Sequence, residues 1–171
     1  MINKKVIEES IVNILKAIGE DPDRAGLKET PKRVANAMAE VFAGYEIKEK
    51  NLWNVKVFTN EVDGLVEIKD IPTYSMCEPH LLPMLGTTTV RYKTRNKTVI
   101  GLSKVPRLVA DVSHRLQLQE RMTQEIADRL YELIQPEWVE VEQDLRHMCC
   151  AMRGAKADIT THSYAKVGNK E

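Results

Sequence analysis

The apolar residues of this chain change their repeat three times along its length, and that succession limits its folds more than any single motif does. Val6, Ile7, Ile11, Ile14, Leu15 and Ile18 recur at helical spacing, which predicts an amphipathic first helix, and the turn formers of "GEDPDRAGLKET" interrupt it. Thr30 and Pro31 read as the N-cap and first position of a second helix, with Val34, Met38, Val41 and Phe42 as its stripe and Gly44 as its end. From about Asn51 the β-branched content rises through "VKVFTNEVDGLVEIKDIPTYSM". "GTTTVRYKTRNKTVIGLSK" predicts two strands around a polar turn near Arg95 and Asn96. Helical spacing returns over "VPRLVADVSHRLQLQERMTQEIADRLYELIQP", where Met122, Ile126, Leu130, Leu133 and Ile134 form one stripe until Pro136 stops it. "WVEVEQ" and "LRHMCCAMRG" then predict a last pair of strands.

A length of 171 residues with 43% hydrophobic content suits one domain with one sizeable core. Lys+Arg and Asp+Glu balance at 25 each, so no global field favours nucleic acid or an anionic membrane, and any anion site must be built locally. The N-terminus carries acidic residues through its apolar pattern and lacks a small-residue cleavage site, and no run of about 18 apolar residues occurs, so a cytoplasmic protein is expected. Three cysteines, two of them adjacent, make a poor disulfide framework; thiolate chemistry or simple burial suits them better.

Two stretches carry candidate chemistry. "MCEPHLLP" sets Cys77 and His80 three positions apart between prolines. Read with a period of two, the last strand would place His147, Cys149, Ala151 and Arg153 on one face and Arg146, Met148, Cys150 and Met152 on the other. The first face is expensive to bury unless its groups have partners, which is the property of a site wall. Cys77, His80 and Cys149 together offer two thiolates and an imidazole, the donors zinc prefers, and three protein ligands would leave the open position of a catalytic site. Spacing alone leaves open the plainer reading, a buried turn with an inert cysteine.

The blocks "DPDRAGLKETPKRVA", "YSMCEPHLLPMLG", "GLSKVPRLV", "LQLQERMTQEIA" and "RHMCCAMRGA", in this order from Asp21 to Ala155, resemble those of the GTP cyclohydrolase I family. The resemblance implies an α+β tunnelling fold: an antiparallel sheet with two helices on one face, spanning residues 51–171, preceded by an N-terminal helical region over residues 1–50, as a single functional unit. It implies a ring-shaped homo-oligomer, commonly a decamer, and conversion of GTP to 7,8-dihydroneopterin triphosphate and formate. It also implies zinc on Cys77, His80 and Cys149, acid-base work by His147, guanine recognition by Gln119 and Glu120, and triphosphate contacts from Ser103, Lys104, Arg107 and Arg153. Neither nucleic acid nor a membrane is an expected partner.

This sequence departs from the family pattern in two places. The family block reads Cys-Glu-His-His, with a catalytic histidine before the ligand, whereas this chain reads Cys77, Glu78, Pro79, His80. The chain also closes on "THSYAKVGNKE", without the C-terminal helix usual in the family. Besides the full reaction, two alternatives therefore follow from the sequence. One is a related zinc hydrolase that stops at a ring-opened formamidopyrimidine or uses another purine nucleotide; the other is a catalytically silent nucleotide-binding paralogue.

Overall fold

The computed structural model describes residues 1–46, 57–59 and 63–169. Helix α1 spans Lys4–Ala17 and α2 spans Thr30–Val41. Asn3 caps α1 by accepting from the Val6 N–H at 3.2 Å, and Pro31 occupies the first turn of α2, where a missing N–H costs little. Thr30 is itself helical and Glu29 holds the cap position without a side-chain bond, one residue earlier than expected. The two helices pack on each other and bury Leu15 and Ala35, while Val6, Ile14 and Ile18 of the α1 stripe stay exposed. A 3₁₀ turn, Ala43–Tyr45, ties the pair to the rest of the fold. The Gly44 N–H donates to His114 O at 3.0 Å, and a Cβ on Gly44 would meet Asp111 O at 2.5 Å. Gly44 therefore permits this docking in addition to lying beyond the helix end.

The remaining elements are β1 (Val57–Thr59), β2 (Leu65–Cys77), β3 (Pro83–Lys93), β4 (Thr98–Ile100), α3 (Lys104–Ser113), β5 (Leu116–Gln117), α4 (Gln119–Ile134), β6 (Trp138–His147), a single helical turn α5 (Met148–Ala151) and β7 (Thr160–Gly168). One sheet runs in the order β5-β2-β3-β6-β7, antiparallel except for the parallel β5–β2 contact; β1 and β4 form a separate two-stranded ribbon. Both α3 and α4 cover one face of the larger sheet. Val105, Leu108, Val109 and Val112 from α3 and Met122, Ile126, Ala127 and Leu130 from α4 close over Ile71, Val90, Tyr92, Val139, Val141, Leu145 and Ala165. Alternate strand residues supply this core, as a sheet covered on one face requires. A register shift between Ile68 and Ile71, with Asp70 at φ 54°, keeps both ends of β2 facing inward. Gly86 allows β3 and β6 to approach, because a Cβ there would lie 2.0 Å from Asp144 O.

Three sequence expectations change here. The two strands expected around Arg95 and Asn96 form, with left-handed backbone at Asn96 and Lys97, but they do not pair as a hairpin: β4 pairs with β1, and β3 lies between β2 and β6. The true hairpin partner of β3 is β2, joined through residues 78–82, and long-range pairing along nearly the whole of β3 outweighs a three-residue strand. "WVEVEQ" and "LRHMCCAMRG" are not a pair either. They run as one strand to His147, paired with β3 on one side and β7 on the other, and the chain turns helical at Met148. The period-two face of His147, Cys149, Ala151 and Arg153 therefore ends at His147, and Cys150 is half-buried instead of core. The expected division at residues 50 and 51 lies outside the described residues. Among the described residues no helix is long and apolar enough to cross a membrane.

Candidate active site

The β2–β3 turn is built around Cys77. Its N–H donates to Leu82 O at 2.9 Å, and its carbonyl accepts from His80 N and Leu81 N at 3.3 and 2.9 Å. Leu81 takes a left-handed φ of 53°, which reverses the chain into β3. Such a conformation in a bulky residue is strained and persists only where surroundings enforce it. The Glu78 N–H donates to Gln117 O at 3.1 Å, and the Glu78 carboxylate pairs with the Arg121 guanidinium, so the turn is fastened to the start of α4.

This turn leaves Cys77 buried and His80 exposed, with Sγ and Nδ1 3.5 Å apart. Cys149 reaches the same place from α5, the helical turn after β6. The donor atoms of Cys77, His80 and Cys149 all lie within 4.8 Å of one another, the one such group of three among the described residues. Tetrahedral zinc with its usual Zn–S and Zn–N bonds sets ligand atoms roughly 3.5 to 3.8 Å apart, so the cluster needs only small side-chain movements to fit. Burial pushes the Cys77 thiol above its ordinary pKa, and the neighbouring Cys149 adds to the rise. A bound cation such as zinc would favour the Cys77 thiolate that burial disfavours.

Beside the cluster, His147 ends β6 and its Nε2 lies 2.7 Å from Gln119 Oε1. Burial lowers the His147 pKa, with the Glu120 carboxylate acting in the opposite sense. Glu120 is exposed in the first turn of α4, one residue from Gln119. Gln119 is only 1% exposed. Its Nε2 lies 3.0 Å from Gln143 O and 2.9 Å from both Thr161 O and Ser163 Oγ. Its two amide protons are thus engaged inside the protein. The resemblance implies that this side chain helps to hold guanine; in the structure its Oε1 lies against the His147 ring, and Glu120 is the exposed member of the pair.

Residues 7–171 match the sequence profile of GTP cyclohydrolase I. The chain belongs to the GTP cyclohydrolase I family. It is 48% identical over 157 residues to a protein from Caldanaerobacter subterraneus subsp. tengcongensis, covering 91% of this chain and 82% of that one. A Geobacillus kaustophilus protein is 50% identical over 155 residues, with 91% and 82% covered. Both relatives are named GTP cyclohydrolase 1, an enzyme. Among solved structures, the crystal structure of the archaeosine synthase QueF-Like in the apo form superposes with a TM-score of 0.50 at 16% identity, over 65% of this chain and 100% of that one. That likeness bears on architecture alone, and it agrees with the expected tunnelling fold: antiparallel sheet, two helices on one face, helical N-terminal region.

The residues that the family resemblance assigns to the triphosphate stand on two segments. Ser103 and Lys104 open α3, Arg107 follows one turn later, and Arg153 lies just after α5. Ser103, Arg107 and Arg153 are exposed and Lys104 is half-buried; none of the three cations forms a salt bridge with another described residue. They remain available to an anion, and the start of α3 adds the partial positive charge of a helix N-terminus. Sequence reasoning missed the clamp from Arg121 to Glu78 and the polar residues beneath His147. The second group did leave a signal: Thr73, Thr88, Gln143 and Ser163 are polar residues at inward-facing strand positions.

Proposed function

We propose that this chain is a zinc-dependent GTP cyclohydrolase that opens the imidazole ring of GTP and releases carbon 8 as formate. The observation that carries the reading is the convergence of Cys77, His80 and Cys149 from two distant segments, near a half-buried histidine and an exposed carboxylate. Zinc held by these three residues supplies a Lewis acid that brings the pKa of water toward neutrality. His147, whose pKa burial lowers, takes and returns a proton at the purine. The Glu120 carboxylate accepts from the guanine ring N–H and exocyclic amine, a paired contact that adenine cannot offer. Ser103, Lys104, Arg107 and Arg153 bind the triphosphate. The balance of the full reaction is one water consumed per GTP, giving formate and 7,8-dihydroneopterin triphosphate. Addition of one water at carbon 8 breaks the C8–N9 bond, a second water hydrolyses the formamide to release formate, and rearrangement of the ribose closes the new ring with loss of one water.

Pro79 favours a second reading, in which the reaction stalls after ring opening. It occupies the position of the family's second proton-transfer group and has neither a titratable side chain nor a backbone donor. The protein would act in the cytoplasm as a ring-shaped homo-oligomer, commonly a decamer in the family. Exposed Tyr74, Leu81, Leu102, Leu118, Met152 and Ile159 support assembly, since together they leave much apolar surface uncovered on one protomer. Light scattering should give a mass of several protomers; a fully active monomer would contradict the assembly.

Recognition is tested by two carboxylate variants. Glu120→Gln removes the partner of the guanine edge and should weaken GTP binding by about 1.5 to 3 kcal/mol. Glu78→Gln breaks an exposed pair with Arg121, half-exposed on both sides, and should change binding by less than about 1 kcal/mol. Equal losses measured by calorimetry in the zinc-loaded protein would show that Glu120 does not read the base.

A further inference from the structure

Beneath His147 a chain of polar side chains crosses the interior of the sheet. Gln119 Nε2 lies 2.9 Å from Ser163 Oγ, Ser163 Oγ 2.7 Å from Thr123 Oγ1, and Thr123 Oγ1 2.7 Å from Gln143 Oε1. Gln143 Nε2 then reaches Thr88 Oγ1 at 2.9 Å, Thr88 reaches Thr73 Oγ1 at 2.6 Å, and Thr73 ends on Ile71 O at 3.0 Å. Gln119, Thr123, Gln143, Ser163, Thr88 and Thr73 are all buried. A buried polar network of this length is costly unless every member is satisfied, and here every member is.

The direction of the chain is fixed at both ends. At the far end Ile71 O can only accept, so Thr73 donates to it. Thr73 must then accept from Thr88, and Thr88 from the Gln143 amide. The single Thr123 proton faces two acceptors, Gln143 Oε1 at 2.7 Å and Gln119 O at 2.8 Å, so on either choice Thr123 accepts from Ser163, whose lone pair in turn faces the Gln119 amide. At the near end Gln143 O and Thr161 O also face the Gln119 amide, and two carbonyl oxygens exclude the opposite amide orientation. Gln119 therefore turns Oε1 toward His147, and the ring nitrogen 2.7 Å away has to be a donor.

We propose that Gln119 is a positioning residue that holds His147 as its Nε2–H tautomer, leaving Nδ1 as the ring's lone pair for work at the purine. The inference rests on the reading of His147 as the acid-base group, and it adds which nitrogen does the work and what selects it. An imidazole in the wrong tautomer offers N–H where a lone pair is required, a fault that costs far more than lost packing. The network also gives α4 a role in this positioning, since Thr123 and Gln119 lie one turn apart on it and the rest of the chain comes from the sheet.

The test is magic-angle-spinning ¹⁵N NMR on zinc-loaded protein labelled at histidine, with the His147 signals assigned by their loss in His147→Asn. At pH 8 wild type should show His147 with Nε2 protonated and Nδ1 unprotonated. A protonated Nδ1 in the neutral ring would overturn the proposal, and this readout needs no turnover, so it stands apart from whether the protein processes GTP. In Gln119→Met the ring should populate the other tautomer, and kcat for formate release should fall roughly 100-fold while KM for GTP stays within about threefold. A rise in KM with kcat and tautomer unchanged would instead make Gln119 a reader of the base. If Gln119→Met does not fold, Ser163→Ala removes one acceptor while leaving the two carbonyls and Gln119 in place, and wild-type tautomer should persist. Loss of that tautomer in Ser163→Ala would show that the carbonyl pair does not orient the amide.

Discussion

Replacing Pro79 with histidine should accelerate pterin formation from GTP by about 100- to 10,000-fold, the usual contribution of a positioned acid-base group to a step that needs one. The turn can accept the change. His80 N and Leu81 N already bond Cys77 O, and Cys77 N already bonds Leu82 O, so the new residue inherits a hydrogen-bonded frame that does not depend on proline. Pro79 is exposed, and histidine readily adopts the φ that proline fixes, so the fold loses only the stiffening of the unfolded chain, about 0.4 to 1 kcal/mol. The effect should fall on the later steps. On the proposed reading, ring opening would rely on the cysteine and histidine cluster and on His147, all present in the wild type, whereas rearrangement of the ribose would need a second proton-transfer group. A time course of GTP loss, formate and pterin fluorescence should show ring-opened material running ahead of pterin in the wild type and the two converging in Pro79→His. Rapid pterin formation in the wild type, unchanged by the substitution, would show that another group supplies the proton transfer.

Cys149→Ala should abolish zinc retention and reduce formate release at least about 1,000-fold, because a metal site with two remaining ligands loses both the ion and the several kcal/mol of charge stabilisation it provides. Cys150→Ala is the decisive companion. The two cysteines are adjacent, yet only Cys149 brings its sulfur within 4.8 Å of the other donors, so Cys150→Ala should keep one zinc per chain. Elemental analysis of both variants distinguishes a specific ligand from a general requirement for thiols. Equal zinc content in the two would contradict the assignment.

The sequence made the helices legible because their apolar period is local: α1, α2 and α4 each carry a stripe that ends at a recognisable breaker, and the observed spans follow those stripes. Strand pairing was less legible. "KTRNKT" has good turn chemistry, but β3 pairs instead with β2 and β6, which lie before it and far beyond it in the chain, and no local signal reports such partners. The donor cluster was readable by residue type but not by the reason first suited to it. Cys149 joins Cys77 because the chain turns helical after His147, not because a strand carries both residues on one face. Gln119 shows the limit most clearly. Its position in a family block pointed to the base, while its actual partners, Gln143, Thr161 and Ser163, lie 24, 42 and 44 residues away and can be seen only once β6 and β7 are paired.

The central claim is that the cluster of Cys77, His80 and Cys149, with His147 beside it, opens the imidazole ring of GTP. The most direct measurement follows the fate of carbon 8 in GTP labelled at that atom, with zinc-loaded protein carrying one zinc per chain. The label should pass into a formamidopyrimidine and then into formate, and neither labelled product should form with Cys149→Ala. Intact labelled GTP after prolonged incubation with the fully zinc-loaded wild type would contradict the account.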